Sequence, residues 1–300
     1  MKYTSYGVVL LALMSGVAHT QAATPLTGSL KTIKENNVIV LGNRESSVPY
    51  SYYDNAQKVI GYSQDIAMRI VDEIRKEIDA PGLQVRMMPI TAQNRIPLVQ
   101  SGTINFECGG TTNNAERRKQ VEFSNTISIT ETRLLTKRSS GIRSFNDIDG
   151  KTIAVTAGTT SERYLRKKIA EAKMNVAIVA ATDHAQGFMM VQQGRAAAFF
   201  MDSDVLSAEL AKANKPGEYM ITGEPQTFEA IACMLPKNDP ALKAVVDKTI
   251  ARLQTSGEAY KLYQKWFMSP IPPQNINLNL PLSQKLKSVF DSPNDQSLDD

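Results

Sequence analysis

The chain has 300 residues, 42% of them hydrophobic and 21% charged, which excludes a disordered or low-complexity protein; at about 150 residues per domain it predicts two domains. Lys and Arg number 34 against 30 Asp and Glu, a formal charge of +4. The basic residues are scattered without a run or an aromatic-flanked stripe, so no nucleic-acid partner is expected.

Lys2 precedes the apolar run from Val8 to Met14, and small residues follow up to Ala22 and Ala23. This is the pattern of a secretory signal peptide over 1–22, cut after Ala22. The apolar run falls short of the roughly 20 residues a membrane span needs, and no Cys lies near the cleavage point for lipid attachment. A soluble mature chain in the periplasm is expected. In that oxidising compartment Cys108 and Cys233 are free to pair; two buried free thiols are the alternative, and the sequence leaves both open. After cleavage one histidine remains, His184.

The run Val38 to Leu41 predicts a buried strand. Ser63 then reads as the cap of a helix whose Ile66, Ile70, Ile74 and Ile78 recur every four residues. A strand over Leu83 to Ile90, a short helix over Asn94 to Gln100 and a strand over Ile104 to Cys108 complete a βαβαβ unit. The same order returns in the strand Thr152 to Thr156, the helix Thr160 to Ala172, the strand Val176 to Ala180, the helix Gln186 to Gln193 and the strand Ala196 to Met201. Between the units Phe123 to Lys137 reads as a long extended crossing, and Glu229 to Pro236 as the crossing back. Asp239 and Pro240 then open a helix that stops at Gly257. Beyond Pro270 no regular structure is expected.

The fold class is therefore α/β with two crossings. They predict a discontinuous first lobe, 23–130 and 232–300, around a second lobe, 131–231, with hinges near 127–131 and 229–233.

Ligands of open α/β sheets bind beyond the carboxyl ends of the parallel strands. The residues following each predicted strand include Arg44, Arg95, Arg117, Thr159, Thr160, Ser161, His184 and Asp202. Three arginines and a histidine with few acids favour an anion. Asn113 reads as the cap of a short helix carrying Arg117, whose guanidinium suits a carboxylate gripped by two bonds; a solvated charge beside Arg118 and Lys119 is the alternative. Gly158 to Glu162 has the pattern of a capping box and offers backbone donors and hydroxyls. Asp202, after an apolar strand, could meet an ammonium or cap the next helix. Gly150-Lys151-Thr152 lacks the first glycine of a phosphate loop, where Phe145 stands. The single His and the incomplete Asp202-Ser203-Asp204 pattern give no metal site, and no cofactor motif appears. No nucleophile elbow or Cys-His pair is present, and Glu107 and Glu162 do not read as a paired acid and base, so no catalytic residue is expected.

These residues resemble a known family, the periplasmic solute-binding proteins of amino-acid ABC transporters (solute-binding protein family 3), and within it the glutamate/aspartate-binding branch. The likeness covers essentially the whole mature chain. It runs through Arg44 to Asp54, Gln93 to Leu98, Phe106 to Gly109, Thr111 to Asn114, Gly158 to Glu162 and Lys265-Trp266-Phe267. The resemblance implies the two-lobed type II periplasmic binding protein fold. It implies that Arg117, Thr112, the Gly110 backbone and Thr160 hold an α-carboxylate, that Asp202 receives the ammonium, and that Arg44, Arg95 and His184 hold a side-chain carboxylate, with Ala92, Thr159 and Ser161 close by. Gly110 and Ala92 stand where the family commonly has serine, and each removes a hydroxyl near one carboxylate. The resemblance further implies a monomeric, non-enzymatic receptor that delivers L-glutamate or L-aspartate to an inner-membrane permease complex. A dehydratase or peptidoglycan-cleaving enzyme on the same scaffold, or a receptor for a chemosensor, are the alternatives.

Overall fold

The computed structural model describes residues 1, 3 and 25–298; residues 4–22 of the expected signal peptide lie outside the described residues. Among the described residues no helix is long and apolar enough to cross a membrane.

The first half starts with α1 (Gly28–Asn36), which leads into β1 (Val38–Asn43), whose Ile39 and Leu41 are buried. Three short strands follow, β2 (Ser46–Ser47), β3 (Ser51–Tyr53) and β4 (Val59–Ile60), paired antiparallel as a small separate sheet. The isoleucine stripe forms as expected in α2 (Tyr62–Glu77), because a spacing of four keeps one apolar face toward the sheet. Its cap is not Ser63, which lies inside the first turn, but Gly61. Only glycine fits there: φ is +136°, and a Cβ would come within 2.1 Å of the Tyr50 carbonyl oxygen.

Next come β5 (Gln84–Pro89), α3 (Arg95–Gln100) and β6 (Phe106–Asn113), with β1 pairing parallel to both strands. β6 does not end at Cys108. Thr111, Thr112 and Asn113 continue it by antiparallel pairing with Ala232, Ile231 and Ala230 of a strand more than a hundred residues away. The short α4 (Ala115–Arg118) is capped by Asn114 rather than Asn113; the Asn114 side chain accepts from the Arg117 amide at 2.8 Å.

The predicted crossing is a single long strand, β7 (Glu122–Lys137). The second unit then follows as predicted: β8 (Thr152–Thr156), α5 (Thr160–Glu171), β9 (Ala177–Ala181), α6 (His184–Gln192), β10 (Ala198–Asp202) and α7 (Ser203–Ala211). β8 pairs parallel to both β9 and β10. The chain returns through β11 (Tyr219–Thr222) and β12 (Phe228–Leu235), then α8 (Pro240–Thr255), α9 (Glu258–Phe267) and α10 (Gln284–Asp291). The last helix corrects the expectation of an irregular tail. Ser283 caps it, accepting from the Leu286 amide at 3.1 Å, and its buried Leu286 and Phe290 lie one turn apart.

The strands order β5-β1-β6-β12-β7-β10-β8-β9, with β11 also on β7. β7 pairs with β12 from Glu122 to Glu131, then with β10 and β11 from Thr132 onward. The two-lobed α/β fold hangs on this strand and on β12 beside it. The first-half core packs α2, α8 and α9 around the aromatic set Tyr62, Tyr263, Trp266 and Phe267. Cys108 of β6 and Cys233 of β12 form a disulfide, with sulfurs 2.04 Å apart.

Candidate functional site

The carboxyl ends of the parallel strands from both halves face one another across a narrow, largely closed cavity. Of the expected residues, Arg44, Arg95, Gly110, Thr112, Thr159, Thr160, His184 and Asp202 line it. Arg117, Ala92 and Ser161 are not among its lining residues. Ser47, Tyr50, Met201 and Val205 complete the lining. Sequence reading did not assign a role to these four. Met201 and Val205 look like core residues, and the path of the turn that carries Ser47 and Tyr50 depends on the distant Gly61.

At one end of the cavity Arg44 follows β1 and Arg95 opens α3, with 3% and 2% of their surfaces exposed. Burial pulls the Arg44 guanidinium down to about 10, aided by the like charge of Arg95 and opposed by Glu107 and Asp183. Arg95 is lowered by burial, with Glu107 and Asp202 opposing. Both stay protonated at neutral pH. Arg95 donates through Nη1 to the Thr111 hydroxyl, while its buried Nε has no partner. An unsatisfied buried donor is costly, so a carboxylate acceptor here would gain more than a surface ion pair. His184 opens α6, anchored through Nδ1 to the Thr156 hydroxyl at 2.9 Å. Burial, then Arg44 and Arg95, hold its pKa well below the usual range, so the ring is neutral at pH 7.

Arg117 is drawn down to about 9, by burial first and then by Arg95 and Arg163. Its guanidinium donates to the Thr112 carbonyl at 2.9 Å and the Gly158 carbonyl at 3.4 Å. It thereby ties β6 to the turn after β8. Thr112 and Thr160 meet across the same gap, hydroxyl oxygens 3.3 Å apart. The cap expected within Gly158 to Glu162 forms at Thr159. Thr159 caps α5, accepting from the Glu162 amide at 3.1 Å, and the Glu162 carboxylate accepts from the Gly158 amide at 2.8 Å. The next amides of that first turn have no intrahelical acceptor and point toward the cavity end of the helix. Gly158 needs its glycine: φ is +79°, and a Cβ would lie 2.9 Å from the Ala92 carbonyl carbon.

Opposite the arginines, Asp202 ends β10 at the cap position of α7 but makes no cap bond. Its Oδ1 accepts from the Ser161 hydroxyl at 3.2 Å. Burial, then the neighbouring charges of Glu229 and Asp204, push its carboxyl well above the usual range. A cationic ligand group would reverse that shift by pairing with the ionised form. Tyr50 donates its hydroxyl to Asp204, a buried bond joining the turn after β2 to the start of α7. The exposed pair Glu116 and Arg163, 2.9 Å apart on the rim, adds little energy. The cavity thus offers cationic donors from the first half and an acceptor needing a cation from the second. Among the described residues no cluster suited to a metal ion is present.

The chain resembles known proteins over almost its full length. It is 52% identical over 292 residues to the glutamate/aspartate import solute-binding protein of Salmonella typhimurium, covering 97% of each chain. It is 48% identical to the L-glutamate/L-aspartate-binding protein of Pseudomonas aeruginosa, covering 96% of this chain and 95% of that one. Among solved structures, an ancestral arginine-binding protein bound to arginine aligns with a TM-score of 0.70 at 27% identity, over 77% of this chain and 98% of that one. An ancestral amino-acid-binding protein, a precursor of cyclohexadienyl dehydratase, aligns with a TM-score of 0.70 at 27% identity, over 80% and 99%. The model of the bacterial extracellular solute-binding proteins, family 3, matches residues 39–269, and the chain belongs to that family.

Proposed function

We propose that the protein is a periplasmic receptor that captures L-glutamate or L-aspartate between two lobes and hands it to an ABC permease. The observation that carries the reading is the charge of the cavity lining, with Arg44 and Arg95 buried on the first half and Asp202 buried on the second. A dicarboxylic amino acid matches it. The side-chain carboxylate takes Arg44, Arg95 and His184. The α-carboxylate takes Thr112, Thr160 and the Gly110 backbone, and the ammonium takes Asp202. Arg117, oriented by its bonds to the Thr112 and Gly158 carbonyls, joins Thr112 and Thr160 on the α-carboxylate. A neutral side chain would leave a net positive charge buried at Arg44 and Arg95, which is costly.

The lobes are taken as 23–130 with 232–300 and as 131–231, hinged where the two long strands pass between them. Ligand that touches Arg95 and Asp202 together favours the closed arrangement, because only there are both of its ends satisfied. The relatives in Salmonella typhimurium and Pseudomonas aeruginosa, named for the same two amino acids, support this ligand class. The chain acts as a monomer without cofactor or catalysis. The test is uptake: deleting the gene in its own host should abolish high-affinity import of labelled L-glutamate and L-aspartate and spare L-glutamine. Unchanged import of the first two would refute the transport role.

A further inference from the structure

Glu107 is absent from the roles assigned above, yet it is the least exposed of the buried acids, at 0% against 4% for Asp202. It lies on β6 beside the cavity and does not line it. Its Oε2 accepts from the Gly109 amide at 2.5 Å and its Oε1 from the Thr111 hydroxyl. The same hydroxyl accepts from Arg95 Nη1, so a relay runs from Arg95 through Thr111 to Glu107. On the other side the stem of Arg44 reaches the same spot. A Cβ at position 109 would lie 2.7 Å from Arg44 Cγ and 2.8 Å from Glu107 Oε2, so Gly109 is what lets the two approach. Glu107 therefore stands between both arginines, and its charge favours the protonated form of each. Asp183 draws on Arg44 and Asp202 on Arg95 more weakly than Glu107 does, Arg163 repels Arg95 more weakly still, and the neutral His184 adds no charge.

Two buried guanidinium groups with no companion acid would present two positive charges and suit a dianion. We infer that Glu107 is a positioning residue that sets the net charge of this subsite at one, so that it selects an amino acid with a single side-chain carboxylate over one with a dianionic side chain. The inference rests on the proposed reading that Arg44 and Arg95 face the ligand's side chain.

Two variants separate charge from geometry. Glu107→Gln keeps an acceptor for Thr111 and removes the charge, whereas Thr111→Val breaks the relay and keeps the charge. The probes are L-glutamate and O-phospho-L-serine, whose phosphate is close to dianionic at pH 8. Their dissociation constants are measured by calorimetry on the ligand-stripped protein. The unmodified protein should prefer L-glutamate, and Glu107→Gln should move the ratio toward phosphoserine by about tenfold or more, the scale of one charged hydrogen bond. Thr111→Val should weaken both ligands by similar factors with little change in the ratio, and Thr111→Ser should restore them. A ratio unchanged in a Glu107→Gln protein that still binds glutamate overturns the inference alone. Failure of the unmodified protein to bind glutamate overturns the functional reading and the inference with it. If Glu107→Gln does not fold, the unmodified protein decides: O-phospho-L-serine should bind more tightly relative to L-glutamate at pH 5, where its phosphate is close to monoanionic, than at pH 8, and an unchanged ratio overturns the inference.

Discussion

Asp202→Asn should change affinity and stability in opposite directions. The carboxyl is buried, receives one hydroxyl bond from Ser161 at 3.2 Å, and lies close enough to Glu229 and Asp204 that its pKa rises well above the usual range. A carboxyl whose folded pKa is raised stabilises the fold most below its unfolded pKa, near 4, and that contribution is lost as pH climbs through the raised folded value. At pH 7 the wild-type protein without ligand carries this cost and the asparagine variant does not. The ligand-free variant should therefore melt higher, each kcal/mol gained appearing as about 2–4 °C. Its melting temperature should also vary less with pH above about 4. The ligand's ammonium loses a charged acceptor, about 1.5–3 kcal/mol, or roughly 10- to 150-fold in Kd. Calorimetry with L-glutamate and melts from pH 4 to 8 read both effects. A variant with raised melting temperature and unchanged Kd would falsify the pairing of Asp202 with the ammonium, and a lowered melting temperature would refute the burial argument.

Arg44→Gln should cost at least about 100-fold in glutamate affinity, the scale of a broken buried ion pair, and should narrow the preference over glutamine, read by the same titration. Tyr50→Phe removes the bond to Asp204 and leaves a buried acid without its donor, so ligand-induced closure followed by small-angle scattering should require more glutamate, by about 1–3 kcal/mol; an identical closure curve would show that this contact does not hold the lobes. The disulfide joins positions 125 residues apart, so the Cys108→Ser, Cys233→Ser double variant should lose about 2–4 kcal/mol in urea unfolding without a change in ligand preference.

The second unit was legible because each element carries its own signal: apolar strands, and helices that open on Thr159 or Asp183 as cap. The extension of β6 was not. Gly109 to Asn113 reads as a polar loop until β12 supplies its hydrogen bonds, and nothing local announces a partner so distant. Caps shifted by a residue or two, Asn114 for Asn113 and Gly61 for Ser63, because neighbouring residues were equally suited by type and tertiary packing chose between them. Many of the cavity-lining residues were legible because they follow strands, and open α/β sheets form their crevices beyond strand ends. Glu107 was overlooked as a charge partner because a mid-strand acid can face either side, and only the close packing at Gly109 fixes which. Arg117 is buried beside the cavity with its guanidinium bonded to the Thr112 and Gly158 carbonyls, which its place among the charges Arg118 and Lys119 did not announce.

Whether one cavity reads two carboxylates and an ammonium at once is decided by calorimetric titration of the ligand-stripped mature protein with L-glutamate, L-aspartate, L-glutamine and succinate. Glutamate or aspartate should bind about 100-fold or more tightly than glutamine, which lacks the second carboxylate, and than succinate, which lacks the ammonium. Tightest binding of glutamine would contradict the role of Arg44 and Arg95, and tightest binding of succinate the role of Asp202.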